Sequence, residues 1–336
     1  MKIAVLFGGN SSERDVSVAS ASKVIGALRE SGHEVVAVDA ARGIVRHEDE
    51  RKVLRETVDP LPPDEIVEPE KELAAIIVAP EMADVDLVFL ALHGGSGENG
   101  TAQRVLGAAG LAFTGTDSDG SALAMDKNAA KLRFLEAGVP TAEWLMAPAA
   151  TDQVEERLGF PVIVKPNSEG STVGLTLVSD SAELQAAIDY AARFDRQVML
   201  ERYIPGREIT VGILDDVALA AGEIISLTGE IFDYTAKYQA DSADEIFPAD
   251  LDAGEASRAK ELALIAHRAL GLQSYSRVDF RMDHDGEFWC LEVNTLPGMT
   301  PNSLLPQSAS ALGIRYPDLC ERICLGALAK HTDGES

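Results

Sequence analysis

The first third of the chain alternates short apolar runs with amphipathic segments. KIAVLF leads through a glycine turn into VSVASASKVIGALRESG, and HEVVAVDA, DLVFL and GLAFTGT follow as further apolar runs. Strands that alternate with helices predict a domain built on a parallel sheet, which we expect to span residues 1–116. Residues 44–75 are charged and contain DPLPPDE, which predicts an irregular insertion.

The remaining residues divide into two units by the same criterion. Residues 117–201 begin with SALAMDKNAAKLRFLEAG, a predicted helix that ends in glycine, and continue with strands around a glycine loop. Residues 202–336 are rich in strands at first and close with helices. The pattern therefore predicts an α/β (α+β) protein with an N-terminal parallel-sheet domain and two smaller units behind it.

A polar pair interrupts the apolar strand 288-FWCLEVNTLPG-298. Side chains alternate along a strand, so Glu292 and Asn294 share one face. The preceding Asp-Gly pair, Asp285 and Gly286, is a strong hairpin signal. A two-residue turn there places Asp279 opposite Glu292, whereas a slip by one residue would reverse the faces.

Two carboxylates and an amide oxygen on one face predict a site for a hard cation, with Mg²⁺ or Mn²⁺ favoured. The alternative is a solvated sheet face on which Arg277 bridges the acids.

The stretch 163-IVKPNSEGSTVGLTL-177 is the best candidate for a phosphate loop. It lies between two predicted strands, and Gly170 and Gly174 free a backbone whose N–H groups can hold phosphate oxygens. Lys165 ends the first strand and supplies positive charge. The alternative is an ordinary glycine-serine hairpin. No GxxxxGK[ST] motif exists, which excludes a P-loop fold.

The composition of the chain indicates which binding partners and which cellular compartment are compatible with it. The net charge of −26, from 55 acidic and 29 basic residues among 336, disfavours binding to nucleic-acid phosphates. This acidity would suit a salt-rich cytoplasm or serve solubility alone. Three cysteines indicate a reducing compartment, and the first apolar run is too short for a signal peptide. We expect no membrane span.

Several motifs, in one order along nearly the whole chain, resemble the D-alanine–D-alanine ligases of the ATP-grasp fold. They are GGNSSERDVSVASA, HGGSGENG, FTGT with SALAMDK, VIVKPNSEGSTVG, FDYTAKY, SRVDF and LEVNTLPGMTPNS. The resemblance implies three domains (1–116, 117–201 and 202–336), an ATP site between the second and third, two Mg²⁺ or Mn²⁺ ions, a cytoplasmic enzyme and a homodimer.

The resemblance also implies roles for individual residues around ATP. Lys127 and Lys165 match residues that contact its phosphates, Ser171 lies in the loop above them, and Lys237 matches one that reaches the γ-phosphate. The adenine and ribose would be lined by Glu201, Ile204 and Glu208. The metal ions would be held by Asp279, Glu292 and Asn294.

On the substrate side, Glu13 matches the residue that holds the ammonium group of the first D-alanine, with His93 nearby. Arg277 and the N–H group of Gly298 match the oxyanion site. Ser303 and the Leu304 backbone match the contacts of the second substrate's carboxylate. Tyr238, Ser171 and Glu13 match a trio that fastens a loop over the site.

The sequence departs from the family pattern at Asn99, Arg104 and Gly107, which we expect to lie near the first-domain wall beside His93. These departures leave the acceptor open among D-alanine, D-serine, D-lactate and an amine outside peptidoglycan synthesis. DYTAKY, intact in this chain, favours D-alanine over D-lactate. A non-catalytic nucleotide-binding relative is the alternative from another class.

Overall fold

The computed structural model describes residues 1–9, 11, 13–54, 70–227 and 243–334. The predicted loop segment FDYTAKY, with Lys237 and Tyr238, lies outside these residues, as does part of the predicted insertion. Helices and three separate β-sheets make up the described chain.

The first sheet has four strands in the order β3-β2-β1-β4, and its central strands are parallel, as predicted. β3 pairs antiparallel with β2 at one edge. The strands are β1 Lys2–Phe7, β2 Glu34–Asp39, β3 Gly43–Val45 and β4 Leu87–Leu90. The predicted strand GLAFTGT contributes only an isolated bridge between Phe113 and Val88.

Helices surround the first sheet because its strands are apolar on both faces. They are α1 Arg14–Glu30, α2 Glu50–Val53, α3 Glu70–Ile77, α4 Gly95–Glu98 and α5 Thr101–Ala108, with a 3₁₀ turn at Pro80–Met82. The prediction that residues 44–75 are wholly irregular is wrong, because β3 ends in this segment, α2 lies within it and α3 begins there.

The second sheet is antiparallel, with four strands in the order β5-β8-β6-β7. Its strands are β5 Trp144–Met146, β6 Val162–Pro166, β7 Thr176–Val178 and β8 Val198–Arg202. The helices α8 Thr151–Arg157 and α9 Leu184–Ala191 cover it, and a 3₁₀ turn at Ser181–Glu183 precedes α9. The predicted glycine loop connects β6 to β7.

The third sheet is also antiparallel, in the order β11-β10-β9-β12-β13. Its strands are β9 Arg207–Leu214, β10 Val217–Ser226, β11 Ala243–Ile246, β12 Tyr275–Met282 and β13 Phe288–Asn294. One face packs against α10 Ala253–Ala269, a helix that begins with a capping box formed by Asp252 and Glu255.

The predicted helix over SALAMDKNAAKLRFLEAG is two helices, α6 Ser118–Met125 and α7 Lys127–Glu136. Asp126 separates them because its backbone is extended and its carboxylate accepts a hydrogen bond from Ala129 N at 3.0 Å, which caps α7. Phe134 of α7 is fully buried in the core of the third sheet. The chain closes with α11 Leu304–Ser310 and α12 Tyr316–Gly334.

The β12–β13 hairpin pairs Asp279 with Glu292, as predicted, but by a different route. The predicted two-residue turn is wrong: Asp283 N donates to Glu287 O at 3.0 Å, so the loop has three residues and ends at Gly286 with φ +82°. A bulge then shifts the register between Phe280 and Asp279, leaving Leu291 as the extra residue. The two one-residue shifts cancel at the acidic pair.

The first sheet shares its core with segments from the end of the chain. Leu296, Met299, Leu319 and Ile323 are buried in the same cluster as the strands β1 and β4. This packing brings the loop after β13 against the loops that follow β1 and β4. None of the described helices is both long enough and apolar enough to cross a membrane.

Candidate active site

A cavity of about 290 Å³ opens where the first sheet, the β6–β7 loop and the third sheet meet. A second cavity of about 120 Å³ continues from it beneath the β6–β7 loop. Both cavities are lined by Gly170, Ser171, Glu208, Asp279 and Glu292. We name the first the substrate cavity and the second the lysine cavity, because Lys127 and Lys165 line it.

Asp279 accepts hydrogen bonds from three neighbouring side chains. It is 6% exposed and accepts from Thr210 Oγ1 at 2.7 Å, from Arg277 Nη2 at 2.7 Å and from Asn294 Nδ2 at 2.9 Å. Arg277 thus contacts Asp279, which is one of the two acids that the alternative interpretation has it bridge. Its neighbour Glu292 contacts a different cation.

Lys127 connects Glu292 to the β6–β7 loop. Its Nζ atom lies 3.2 Å from Glu292 Oε2 and donates to the Glu169 carbonyl oxygen at 2.6 Å. The ammonium group thus lies between an acid of the third sheet and the loop above it. Like charges that face each other across strands repel, so Lys127 and Arg277 stabilise the pair of acids.

The donor set of this face fits a hard divalent cation. Asp279, Glu292 and Asn294 bring two carboxylates and an amide together, and two protein cations already balance the acids. Within the described ranges, no group of three or more His, Cys, Asp or Glu side chains could hold a metal ion. A metal at this position would therefore need oxygen donors beyond the two carboxylates, such as the Asn294 amide.

Behind the lysine cavity, Glu201 lies between two lysines. Lys165 Nζ donates to Glu201 Oε2 at 2.6 Å, and Lys131 Nζ donates to Glu201 Oε1. Burial alone would raise the pKa of this carboxyl, but the two ammonium groups outweigh it and lower the pKa to about 2. Glu201 is therefore ionised, and both of its oxygens have protein partners.

The other residues predicted to line the nucleotide lie beside this group. Glu208 lines both cavities, and its carboxylate is 3.7 Å from Arg281. Ile204 is buried, and its carbonyl oxygen accepts from Arg281 Nε at 3.0 Å. Arg281 thus fixes the segment between β8 and β9 to the third sheet.

The β6–β7 loop contacts Glu13 directly. Ser171 Oγ donates to Glu13 Oε1, and a Cβ atom added at Gly170 would lie 2.9 Å from Glu13 Oε2. Ser171 and Thr172 have φ values of +48° and +65°, which are strained for residues other than glycine, above all for a β-branched one. Two members of the predicted trio are thus in contact, while Tyr238 lies outside the described residues.

Glu98 is a site residue that the sequence reasoning missed. It lines the substrate cavity with Glu13, and its Oε2 atom accepts from Gly94 N at 2.9 Å. Burial and the neighbouring Glu13 raise the pKa of Glu98 to about 8. Its place within HGGSGENG, a loop after a buried strand, was the available signal.

Glu169 of the β6–β7 loop behaves similarly. Burial, followed by the charge of Glu13, raises the pKa of Glu169 to about 7. Glu169 lines the lysine cavity, whereas Glu13 and Glu98 line the substrate cavity, and we name Glu13 and Glu98 the acidic wall.

His93 lines the substrate cavity, but both of its ring nitrogens have protein partners. Nδ1 lies 2.9 Å from the Leu296 carbonyl oxygen, so it carries the proton, and Nε2 lies 3.0 Å from Ser20 Oγ. Burial lowers the pKa of His93, which keeps the ring neutral. The geometry therefore supports a positioning role for His93, and its place among the substrate-binding residues stays a prediction.

The loop between β13 and α11 forms the far end of the substrate cavity. Ser303 Oγ accepts from Thr300 N at 3.1 Å, and Ser303 precedes the first turn of α11, which begins at Leu304. A Cβ atom added at Gly298 would lie 2.9 Å from Ser303 Oγ, so only glycine allows this approach. Arg277, Gly298, Ser303 and Leu304 all line the substrate cavity.

Comparison with known proteins identifies the family. The family model described as "D-ala D-ala ligase N-terminus" matches residues 2–116, and the one described as "D-ala D-ala ligase C-terminus" matches residues 134–325.

The chain belongs to the D-alanine–D-alanine ligase family.

Curated ligases of this family match the chain over nearly its full length. The D-alanine–D-alanine ligase of Geobacter sulfurreducens is 41% identical over 98% of this chain and 95% of its own length. That of Gluconobacter oxydans is 40% identical over 98% of this chain and its whole length.

Solved ligase structures share the fold. A D-alanine–D-alanine ligase from Bacillus anthracis complexed with ATP is 30% identical, has a TM-score of 0.80 and covers 99% of both chains. The VanG D-Ala:D-Ser ligase from Enterococcus faecalis is also 30% identical with a TM-score of 0.80, covering 98% of this chain and 99% of its own. These likenesses confirm the predicted ATP-grasp fold.

The three departures from the ligase pattern are exposed residues. Asn99, Arg104 and Gly107 are not among the described residues that line the substrate cavity, although Asn99 follows Glu98, which does. Arg104 and Gly107 face outward because α5 buries Gln103 and Leu106 instead. Their expected place near the first-domain wall stays a prediction.

Proposed function

We propose that this protein is an ATP-dependent ligase that joins two D-alanine molecules for peptidoglycan precursor synthesis. One observation carries the proposal: one continuous cavity has lysines at one end and an acidic wall at the other, with Asp279 and Glu292 between them. A triphosphate needs the first environment, and an amino acid's ammonium group needs the second. Membership of the ligase family supports the same assignment.

ATP would bind with its phosphates at Lys127 and Lys165. The β6–β7 loop would cover these phosphates with its backbone N–H groups and Ser171. Glu201, Ile204 and Glu208 would line the nucleoside. The Bacillus anthracis ligase was crystallised with ATP, which supports this use of the shared fold.

Asp279, Glu292 and Asn294 would hold Mg²⁺ or Mn²⁺, two ions by resemblance. A bound divalent cation would neutralise phosphate charge during phosphoryl transfer. The chain's own task is to keep these donors on one face, and the Leu291 bulge achieves it.

The reaction would have two steps. The carboxylate of the first D-alanine attacks the γ-phosphorus of ATP, giving an acyl phosphate and ADP. The neutral amine of the second D-alanine then attacks the acyl carbon, phosphate leaves, and the amine loses one proton. The enzyme would act by positioning and charge neutralisation.

Residues of the substrate cavity would orient the two amino acids. Glu13 would hold the first ammonium group, and Arg277 with the N–H of Gly298 would stabilise the oxyanion. Ser303 and the Leu304 backbone would hold the second carboxylate. Lys237 and Tyr238 would close the site from their loop, and these two assignments rest on the resemblance alone.

The identity of the acceptor, the second substrate, is the more specific part of the proposal. VanG, a D-Ala:D-Ser ligase, has the same TM-score as the Bacillus anthracis D-alanine ligase, so fold similarity does not separate D-alanine from D-serine. We propose D-alanine because DYTAKY is intact, and D-serine is the second candidate. A cytoplasmic homodimer belongs to the same proposal.

A competition assay tests the acceptor. ATP, Mg²⁺ and equal amounts of D-alanine, D-serine and D-lactate are supplied together from pH 6 to 8.5, and the products are separated by mass. We expect D-alanyl-D-alanine as the main product, with a yield that rises with pH because the attacking amine must be neutral. D-alanyl-D-serine as the main product would establish the second candidate. A depsipeptide would contradict an amine acceptor. In a separate reaction with L-alanine in place of D-alanine, turnover equal to that with D-alanine would contradict the stereochemistry.

A further inference from the structure

Lys131 is a buried cation that none of the roles above uses. It is 0% exposed and lies one helical turn after Lys127 on α7. Its Nζ atom donates to Glu201 Oε1 and to Thr141 Oγ1, the latter at 2.6 Å, and lies 4.9 Å from the centre of the Trp144 ring. A lysine with no exposure requires such compensation, because burial lowers the pKa of its ammonium group.

The partners of Lys131 are themselves fixed. The Thr141 hydroxyl donates to the Cys290 carbonyl oxygen at 2.7 Å, and Trp144 Nε1 donates to Asn128 Oδ1 at 2.8 Å. The ammonium group is therefore held against β13 on one side and α7 on the other. It belongs to the cavity's supporting wall, whereas the adjacent Lys165 lines the lysine cavity.

Glu201 thus has one cation that faces the ligand and one that does not. If Lys165 were its only partner, a phosphate that attracted Lys165 would leave a carboxylate buried and unpaired. Breaking a buried ion pair in this way costs several kcal/mol. The second ammonium group removes most of that cost, because Glu201 stays paired wherever Lys165 points.

We infer that Lys131 is a positioning residue that holds Glu201 as a separate ion pair and so frees the charge of Lys165 for a nucleotide's phosphates. The inference rests on the proposed function, since it requires a nucleoside triphosphate in the lysine cavity. Lys131 itself does not touch the ligand. Its effect is to leave the Lys165 ammonium group available to pair with the phosphates.

The test compares ATP with adenosine on the full-length protein, without amino acids. Equilibrium binding of each is measured in Mg²⁺ for the wild type and for Lys131→Met. Adenosine lacks phosphates, so the ratio of the two affinities isolates the phosphate contribution. We expect Lys131→Met to lower ATP affinity about tenfold or more, since a charge-assisted hydrogen bond contributes about 1.5–3 kcal/mol. Adenosine affinity should change less than twofold.

A second variant keeps the test decisive if Lys131→Met folds poorly. Glu201→Gln removes the charge that competes for Lys165, so Lys131→Met/Glu201→Gln should regain an ATP-to-adenosine ratio near that of the wild type. The matched control is Arg29→Met, which breaks a bidentate pair with Glu50 at 2.7 and 2.8 Å away from both cavities. It should lower thermal stability and leave the ratio unchanged.

The outcomes separate this inference from the proposed function. Dipeptide synthesis by the wild type, together with an unchanged ratio in Lys131→Met, would overturn the inference alone. An equal loss of ATP and adenosine affinity would also overturn it, because it would show a general structural role. A double variant that stays as weak for ATP as Lys131→Met would do the same. A wild type that binds no ATP would overturn both.

Discussion

Glu201, behind the lysine cavity, and Glu98, in the substrate cavity, have opposite electrostatics. Burial acts on both, but Glu201 has two lysines beside it and its pKa is lowered to about 2. Glu98 lies near another acid, Glu13, and its pKa is raised to about 8. The difference shows which charges the protein balances for itself and which charge it leaves for a ligand to balance.

Lys131 and Lys165 are already paired with Glu201 inside the protein, whereas the acidic wall would bind a positively charged group of a ligand. An ammonium group placed near Glu98 would supply the positive charge that favours its ionised form. The neutral ring of His93 does not supply it. This contrast is the physical basis for assigning the amino acids to the wall and the nucleotide to the lysines.

The largest effect is expected when the acidic pair of Asp279 and Glu292, between the two ends of the cavity, is disrupted. Glu292→Gln keeps the shape of the side chain but removes its charge, so Mg²⁺-dependent turnover should fall about a hundredfold or more. The assay is phosphate release from ATP and D-alanine over a range of Mg²⁺ concentrations. Glu287→Gln, in the exposed turn of the same hairpin, should behave as the wild type. Unchanged Mg²⁺ dependence in Glu292→Gln would remove the metal assignment.

The next largest effect is expected at the lysine end, where the free energy of unfolding is measured. Glu201→Gln leaves Lys131 and Lys165 without their shared anion, and the loss of a buried partner should reduce the free energy of unfolding by about 3 kcal/mol. Denaturant unfolding at pH 7 measures it. Glu98→Gln, the same substitution at the acidic wall, serves as the comparison and should not destabilise. Equal losses in both variants would erase the contrast between the ends.

Glu98 of the acidic wall and Glu169 of the lysine cavity should also make stability depend on pH. The folded protein retains protons on Glu98 and Glu169 that the unfolded chain releases near pH 4.5, so the stability of the ligand-free protein should fall as pH rises from about 5 to about 8. Glu98→Gln cannot ionise and should fall less. Thermal unfolding at pH 5, 6.5 and 8 measures the slope. Glu155→Gln, an exposed carboxyl on α8, should keep the wild-type slope, and a Glu98→Gln slope as steep as that would contradict the prediction.

The smallest effect is expected for Ser20, which supports the substrate cavity from behind. Ser20 Oγ contacts His93 and accepts from Met299 N at 3.2 Å, so Ser20→Ala leaves two buried polar atoms without this partner. We expect a loss of about 1–3 kcal/mol in stability and a severalfold lower kcat, because the loop that carries Gly298 loosens. Ser118→Ala, in the first turn of α6, is the control. A Ser20→Ala variant with wild-type kcat would show that His93 and Met299 hold the loop without it.

The sequence alone determined what depends on local period and motif order. Alternation along β13 placed Glu292 and Asn294 on one face, and apolar runs separated by helices gave the parallel sheet. The ordered motifs gave the family and most of the residues that line the cavity. The prediction from the sequence was wrong at the hairpin turn. There Gly286, with φ +82°, ends a three-residue loop, and the Leu291 bulge restores the predicted pairing.

Only the tertiary structure decided the charge partners, because those lie far apart along the chain. Lys131 and Glu201 are 70 residues apart, and His93 reaches the Leu296 carbonyl across 203 residues. Whether a carboxyl is neutral or ionised depends on burial and on neighbours that packing supplies, and periodicity carries neither. For the same reason Glu98 was missed.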